Sequence, residues 1–120
     1  MSKPLALIIE DDPEIGNILS LSLENEFQIE VIQDGSEALA RLAEVVPALI
    51  MLDLYLPTVS GMDIFAQIRS DARLKTAKII VCTADAMHAE SLRNQADLVL
   101  LKPISPSQVR ELACRMIGIQ

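Results

Sequence analysis

The chain has 120 residues, 51% of them hydrophobic, which is enough to bury the core of one ordinary domain. Its formal net charge of −7 would be repelled by a phosphate backbone, so we expect no direct nucleic-acid binding. The sequence lacks both an apolar run of the roughly 20 residues that cross a bilayer and a signal peptide at its start, so we expect a cytoplasmic chain without membrane contact. Cys82 and Cys114 show no metal-binding spacing and are expected to be reduced structural thiols.

Five short apolar segments predict β-strands. They cover residues 5–9, 28–33, 48–52, 78–82 and 98–101. The first and third are apolar at nearly every position, which is typical of strands that are buried on both faces of a sheet. Turn residues and helical segments separate each strand from the next, so the strands alternate with helices.

The first two helices are predicted from their caps and their apolar periodicity. Asp12 before Pro13 indicates an N-cap followed by proline at the first helical position. The apolar face of this helix is expected to carry Ile15, Ile18, Leu19, Ser22 and Leu23. The pair Asp34-Gly35 predicts a turn, after which a second helix begins near Ser36 and is stopped by Pro47. Its inner face is expected to carry Leu39, Leu42, Ala43 and Val46.

The remaining three helices differ in length and in the strength of their boundary signals. Pro57 and Gly61 bracket a loop, and a third helix with Phe65 and Ile68 follows it. A short fourth helix over residues 86–94 has few apolar contacts, namely Met87, Ala89 and Leu92. The last helix is predicted by a capping box of Ser105 and Gln108, by Pro106 and by the staple pair Ile104 and Val109. Its buried stripe is expected to be Val109, Leu112, Ala113 and Met116.

Five strands that alternate with five helices predict an α/β fold built from right-handed βαβ units. We expect a flavodoxin-like, doubly wound parallel sheet of five strands in the order 2-1-3-4-5, forming one domain over residues 1–120. In such sheets, ligands bind outside the carboxyl ends of the strands, where the strand order reverses. The residues that follow the strands are therefore the candidates for a functional site.

Charged and polar side chains stand at those strand ends. Glu10 and Asp11 follow the first strand, Asp53 ends the third, Thr83 ends the fourth and Lys102 follows the fifth. Carboxylates that converge from neighbouring strands resist full ionisation unless a cation lies among them. Their hard oxygen donors suit Mg²⁺, and a metal beside a lysine and a hydroxyl suits phosphoryl transfer. In this interpretation Asp53 is the nucleophile, because a carboxylate can form an aspartyl-phosphate.

The same residues resemble the motifs of response-regulator receiver domains, over essentially the whole chain. The acidic pair Glu10-Asp11, the segment 53–61 with its aspartate, proline and glycine, Thr83-Ala84 and Lys102-Pro103 occur in the family's order, each at a strand end. The resemblance implies that Asp53 accepts a phosphoryl group from a histidine kinase or a histidine phosphotransfer protein. It also implies that the domain catalyses its own phosphorylation and dephosphorylation and acts on no separate small-molecule substrate.

The resemblance further assigns a role to each site residue. Asp11, Asp53 and the main-chain carbonyl of Tyr55 would bind Mg²⁺ directly, and Glu10 would act through a bound water. Thr83 would hydrogen-bond the phosphoryl group and move towards it, and Lys102 would pair with another of its oxygens. The Lys102-Pro103 peptide bond corresponds to one that the family keeps cis. Tyr55 and Asp85 occupy positions where the family varies the lifetime of the phosphoryl group.

Two departures from the family pattern concern signal output. The family usually has an aromatic switch residue three positions before the lysine, where this chain has Val99. The segment from Thr83 to Lys102 is also shorter than usual. Both changes fall on the face formed by helix four, strand five and helix five. Family members commonly use this face for output, and the sequence leaves open whether this chain also forms a homodimer through it. We expect a downstream protein target and, provided the chain is complete, a stand-alone regulator.

Other interpretations stay open from the sequence. A degenerate receiver that docks proteins without phosphorylation is compatible with Val99 and the short helix. A flavin- or nucleotide-binding domain of the same fold would need a phosphate-binding loop where Glu10 and Asp11 stand. A phosphatase would be expected to have an acid two residues after Asp53, where Tyr55 stands. His88 is interpreted as a surface histidine and Asp12 as a helix cap.

Overall fold

The structure, a computed structural model, describes residues 2–119, so the ends of the predicted domain, Met1 and Gln120, lie outside the described residues. Strands and helices alternate along the chain as β1 (Leu5–Ile9), α1 (Pro13–Leu23), β2 (Gln28–Ile32), α2 (Gly35–Leu42), β3 (Leu49–Asp53), α3 (Gly61–Ser70), β4 (Lys78–Thr83), α4 (Ala86–Leu92), β5 (Leu98–Leu101) and α5 (Pro106–Ile117). A 3₁₀ turn at Ala72–Leu74 connects α3 to β4. Over residues 2–119, no helix has the length and apolar character that a membrane span requires.

The five strands form one parallel sheet in the order β2-β1-β3-β4-β5, which confirms the predicted topology. The strand order reverses between β1 and β3, whose carboxyl ends lie side by side with Ile9 paired to Leu52. On the other side of β3, Asp53 pairs with Cys82, and Thr83 pairs with Leu101 of β5. This register brings the ends of four strands to one edge of the sheet.

The core has two parts, one on each face of the sheet. In β1, Leu7 and Ile9 pack with α2, α3 and α4, whereas Ala6 and Ile8 pack with α1 and α5. Residues Leu49 to Asp53 of β3 are buried throughout, because helices cover both of the faces to which successive side chains point. The unbroken apolar runs of the sequence follow from this double coverage. Both cysteines are buried, and burial raises the pKa of the Cys82 thiol to about 12.

The predicted helix caps at Asp12 and Ser105 are confirmed. Asp12 Oδ1 accepts a hydrogen bond of 2.9 Å from the N–H of Glu14, which is one of the first-turn donors that lack a partner within the helix. Ser105 Oγ accepts a longer bond of 3.4 Å from the N–H of Gln108. Proline stands at the start of α1 and α5, as predicted.

The second helix starts within one residue of its predicted start near Ser36, but its predicted end is wrong. Asp34 is not in a turn but caps α2, accepting from the N–H of Glu37 at 3.0 Å, and the helix begins at Gly35. A Cβ atom at Gly35 would lie 2.2 Å from the carbonyl oxygen of Val59, so only glycine lets the loop before α3 pass this helix start. The helix ends at Leu42, well before Pro47, because residues 43–45 fold back in a turn onto the Arg41 carbonyl.

Four apolar side chains predicted to face the interior are instead exposed. Ala43 and Val46 lie beyond the end of α2 and do not pack beneath it. Ile18 is 45% exposed because α1 packs on the sheet through Gly16, Leu19 and Leu23, a stripe that runs to one side of it. Met87 is 83% exposed, since the short α4 buries only Ala89 and Leu92.

Candidate phosphoacceptor site

Three carboxylates meet at the carboxyl ends of β1 and β3. Glu10 and Asp11 directly follow β1, and Asp53 is the last residue of β3, so the parallel pairing of these strands brings them together. One oxygen from each of Glu10, Asp11 and Asp53 lies within 4.8 Å of the other two. Glu10 and Asp53 are only 2% and 5% exposed, whereas Asp11 is open to solvent. The predicted convergence of these three residues is confirmed by the geometry.

The side chain of Lys102 reaches this acidic cluster from the end of β5, which lies two strands away from β3. Its Nζ lies 2.9 Å from Glu10 Oε1 and 3.3 Å from Asp53 Oδ2. The lysine follows β5, and its main-chain N–H donates to the carbonyl of Thr83 at 2.8 Å, which ties the β5 end to the β4 end. The Lys102-Pro103 peptide bond is cis, as the sequence motif predicted. An ammonium group thus lies between the two buried carboxylates.

Burial sets the ionisation of this cluster. Loss of solvent raises the pKa of Glu10 to about 7, and its hydrogen bond with Asp53 adds to the rise, while Lys102 opposes it. For Lys102, burial acts to lower the pKa, but the contacts with Glu10 and Asp53 outweigh it and raise the pKa above its usual value. One lysine therefore compensates the carboxylates only in part, and the cluster favours an additional cation.

The donor set fits Mg²⁺. Carboxylate oxygens from Glu10, Asp11 and Asp53 are hard ligands, they lie close enough to share one ion, and the exposed Asp11 leaves an approach from solvent. The Tyr55 carbonyl stays a prediction as a fourth donor. What the structure gives for that residue is its main-chain N–H, which donates to Asp53 Oδ1 at 3.2 Å.

Thr83 lies at the end of β4 with its side chain fully buried. Its Oγ1 accepts a hydrogen bond of 3.1 Å from the N–H of Asp85, the residue that caps α4. The Thr83 hydroxyl therefore links the end of β4, where the predicted site lies, to the start of α4.

The loop after Asp53 is fixed by close backbone contacts. The N–H of Gly61 donates to the carbonyl of Leu54 at 2.9 Å, and a Cβ atom at Gly61 would lie only 2.3 Å from the carbonyl oxygen of Asp53. Thr58 has a positive φ of 67°, a backbone conformation that residues other than glycine rarely adopt. Its hydroxyl donates to Asp34 Oδ1 at 3.0 Å and accepts from the N–H of Ser36 at 2.9 Å, which holds this conformation against α2.

The sequence interpretation missed a group of three polar side chains beside the site. Tyr55 donates its hydroxyl to Asp85 Oδ2 at 2.8 Å, and His88 Nδ1 lies 3.1 Å from the same oxygen and 3.2 Å from the Tyr55 hydroxyl. Their contact raises the pKa of Tyr55 and lowers that of Asp85. His88 is thus part of a cluster as well as a surface residue. The sequence signal for part of this group was an aspartate directly before the predicted fourth helix, three residues ahead of His88.

Comparisons with known proteins agree with this geometry. A family model for the response regulator receiver domain matches residues 6–113. The chain is 33% identical over 104 residues to the DNA-binding response regulator MtrA of Mycolicibacterium smegmatis, covering 86% of this chain and 46% of that protein. It is 28% identical over 121 residues to hybrid signal transduction histidine kinase D of Dictyostelium discoideum, covering 98% of this chain and 8% of that protein. The chain thus spans less than half the length of either relative.

A solved structure gives the same result for the fold. A sensor protein from Polaromonas sp. JS666 superposes with a TM-score of 0.84 at 31% identity, covering 96% of both chains. The matched family segment contains β1 from Ala6 onward, the other four strands and every residue of the acidic cluster, together with Thr83 and Lys102. The chain therefore belongs to the response regulator receiver domain family and is a receiver domain of the two-component response regulators.

Proposed function

We propose that Asp53 is the phosphoacceptor of this receiver domain and that its donor is a histidine kinase or a histidine phosphotransfer protein. One observation carries the proposal. The Asp53 carboxylate ends the central strand in a nearly buried position, with the Lys102 ammonium 3.3 Å from Oδ2. Burial of a carboxylate costs free energy, which favours a functional role for this one. The nearby Lys102 ammonium can neutralise negative charge on a phosphoryl group.

In the proposed reaction, an oxygen of Asp53 attacks phosphorus while the bond between phosphorus and the donor histidine nitrogen breaks, and the nitrogen keeps the bonding electrons. Lys102 is positioned to pair with an oxygen of the transferred group, because its ammonium already contacts the attacking carboxylate. The hydroxyl of Thr83 would donate to a second oxygen. The main-chain N–H of Tyr55, which donates to Asp53 Oδ1, orients the nucleophile.

Receiver domains of this family generally bind Mg²⁺ through acidic residues. Here we assign the ion to Asp11 and Asp53 with the main-chain carbonyl of Tyr55, and to Glu10 through a water. When bound, Mg²⁺ would neutralise charge on the phosphoryl oxygens. Lys102, whose Nζ contacts both Glu10 and Asp53, would help to hold the Asp53 carboxylate in place.

Receiver domains interact with histidine kinases and with downstream effectors, and the relatives include a hybrid kinase and a DNA-binding regulator. For this chain we propose one domain over residues 1–120, located in the cytoplasm, that acts on a protein target and not directly on nucleic acid. The face formed by α4, β5 and α5 is the proposed output surface and would also serve a homodimer. The reaction needs no separate small-molecule substrate.

A second function, docking without phosphorylation, is favoured by one observation. Val99 is buried at 9% exposure where the family usually has an aromatic switch residue, and the neighbouring α4 has only 7 residues. A receiver with an intact acidic cluster and no means of signalling would behave in this way. Phosphate incorporation separates the two functions.

The test is the intact mass of the protein after incubation with Mg²⁺ and a small phosphodonor such as acetyl phosphate. We expect one labile phosphoryl group on the wild-type protein, and none with EDTA or with Asp53→Ala, whose folding is checked by circular dichroism. A folded wild-type protein that gains no phosphoryl group would contradict the proposal and favour docking. A gain that persists in Asp53→Ala would place the acceptor elsewhere.

A further inference from the structure

The side chains of Tyr55, Asp85 and His88 form one hydrogen-bonded group, which we call the latch. Asp85 Oδ2 accepts from the Tyr55 hydroxyl at 2.8 Å, and His88 Nδ1 is 3.1 Å from that same oxygen. The other oxygen of Asp85 caps α4 by accepting from the N–H of Met87 at 2.9 Å. The latch therefore joins the loop after β3 to the first turn of α4.

Each end of the latch is bonded to a residue of the phosphoacceptor site. The main-chain N–H of Tyr55 donates to Asp53 Oδ1 at 3.2 Å. The main-chain N–H of Asp85 donates to Thr83 Oγ1 at 3.1 Å. A change in the charge of Asp53 or in the position of the Thr83 hydroxyl thus acts on the latch through a single hydrogen bond in each case.

The two sides of the latch differ in how firmly they are held. The loop side is anchored to α2, because the N–H of Gly35 donates to the Pro57 carbonyl at 3.1 Å and the N–H of Ser36 donates to Thr58 Oγ1 at 2.9 Å. The helix side is α4, which has 7 residues and buries only Ala89 and Leu92. The α4 side is therefore held less firmly than the loop side.

We propose that the latch holds the start of α4 in its unphosphorylated position and opens when Asp53 is phosphorylated, in place of the aromatic switch that Val99 cannot provide. This inference rests on the proposed function. A phosphoryl group carries about two negative charges, and it would change the charge on the carboxylate whose Oδ1 accepts from the main-chain N–H of Tyr55. It would also accept a hydrogen bond from the Thr83 hydroxyl and draw that hydroxyl towards Asp53, away from the Asp85 N–H that donates to it. The first effect reaches the latch through the Tyr55 N–H and the second through the Asp85 N–H.

Hydrogen exchange of the full chain, followed by mass spectrometry, tests the latch with and without Mg²⁺ and beryllofluoride, a stable mimic of the phosphoryl group. Without the mimic, we expect Tyr55→Phe and His88→Ala each to speed amide exchange over residues 85–92 by roughly tenfold. The first removes the hydrogen bond to the Asp85 carboxylate, and the second removes the imidazole nitrogen that contacts both the Tyr55 hydroxyl and that carboxylate. Met87→Ala is the matched control, because its side chain is 83% exposed in the same helix turn, and it should change exchange there little.

The decisive comparison is between the variants and the mimic. Beryllofluoride should speed exchange over residues 85–92 in the wild-type protein and add less than roughly twofold in Tyr55→Phe, whose latch is already open. Equal acceleration by the mimic in both proteins would overturn the inference, because the latch would then be a static contact. Exchange over residues 85–92 that is as slow in Tyr55→Phe as in the wild-type protein would also overturn the inference.

Failure of the proposed function is recognised separately. If acetyl phosphate adds no phosphoryl group to the wild-type protein, the acceptor chemistry fails, and a latch that protects α4 is then only structural. If phosphate is incorporated and exchange over residues 85–92 of the wild-type protein does not change, the acceptor chemistry stands and the latch inference alone is wrong.

Discussion

The ammonium nitrogen of Lys102 lies 2.9 Å from Oε1 of Glu10, closer than it lies to the predicted acceptor carboxylate. These two residues are 92 positions apart in the chain and meet only because β1 lies near the centre of the sheet and the lysine side chain reaches across from β5. Glu10 is almost fully buried, so its charge depends on this contact. The pair therefore contributes to the stability of the metal-free cleft.

Removing the lysine charge should destabilise the metal-free protein. In Lys102→Met, the carboxylates of Glu10 and Asp53 lose their shared counter-charge while staying buried, and we expect the free energy of unfolding to fall by about 3 kcal/mol. Urea unfolding in EDTA measures this change. Lys75→Met, which removes an exposed lysine, is the control and should change stability little. Equal effects of the two substitutions would show that the Lys102 contacts do not stabilise the fold.

Glu10 should make the metal-free protein less stable as the pH rises. Its pKa is raised from 4.5 to about 7 in the folded state, so the folded protein binds more protons than the unfolded chain between these values. The stabilising contribution is complete below about pH 4.5 and is lost as the pH rises through about 7, for a total of about 3 kcal/mol.

Urea unfolding at pH 5 and pH 8 in EDTA, compared between the wild-type protein and Glu10→Gln, isolates this contribution, because the other titrating groups are common to both. We expect Glu10→Gln to gain stability relative to the wild-type protein at about pH 8 and to lose that advantage at about pH 5. The same difference between the two proteins at both pH values would contradict the assignment.

Asp11 should matter for metal binding and hardly at all for the metal-free fold. It is exposed and contributes an oxygen to the acidic cluster, so Asp11→Ala leaves no buried group without a partner. Saturating Mg²⁺ should stabilise the wild-type protein by about 3 kcal/mol at a hundredfold excess over its dissociation constant, and the variant far less at the same concentration. Thermal unfolding with and without Mg²⁺ makes the comparison, and an unchanged metal response would remove Asp11 from the site.

Gly61→Ala should disturb the acceptor strand directly. The added Cβ would lie 2.3 Å from the carbonyl oxygen of Asp53 and 2.4 Å from the Cα atom of Leu54, and these backbone atoms cannot move without displacing Asp53. We expect a loss of about 3 kcal/mol in the free energy of unfolding and impaired phosphorylation.

Gly16→Ala is the matched control for this substitution. Its added Cβ would lie 3.1 Å from Cγ1 of Val31, a partly exposed side chain that can shift. Alanine also gains about 1 kcal/mol of helix propensity over glycine, so the net change should be close to zero. A Gly61→Ala protein as stable as Gly16→Ala would show that the loop is not held as described.

Most of the fold could be predicted because its signals are local. The buried runs of β1 and β3 and the caps at Asp12 and Ser105 each depend on a few adjacent residues. The strand order is the common one for a five-stranded doubly wound sheet. The end of α2 could not be predicted in the same way. Apolar periodicity continues through Val46, but the chain turns at Arg41 to start β3, which is a tertiary requirement.

The site was predictable to a different extent. Residues that end parallel strands converge by topology, so the cluster of Glu10, Asp11 and Asp53 could be inferred without coordinates. The latch could not be inferred in this way. The contact between Tyr55 and His88 spans 33 positions and depends on how α4 packs against the loop after β3. No periodicity in the sequence encodes that contact.

The most direct test of the central claim is to locate the phosphoryl group chemically. The protein is phosphorylated with acetyl phosphate and Mg²⁺, reduced with borohydride, which converts an aspartyl-phosphate to homoserine, and digested for peptide mass spectrometry. We predict homoserine at position 53 alone, and none when EDTA replaces Mg²⁺. Conversion at another acidic residue, or a phosphoryl group that resists borohydride because it is carried by a serine or threonine, would contradict the assignment of Asp53 as the acceptor.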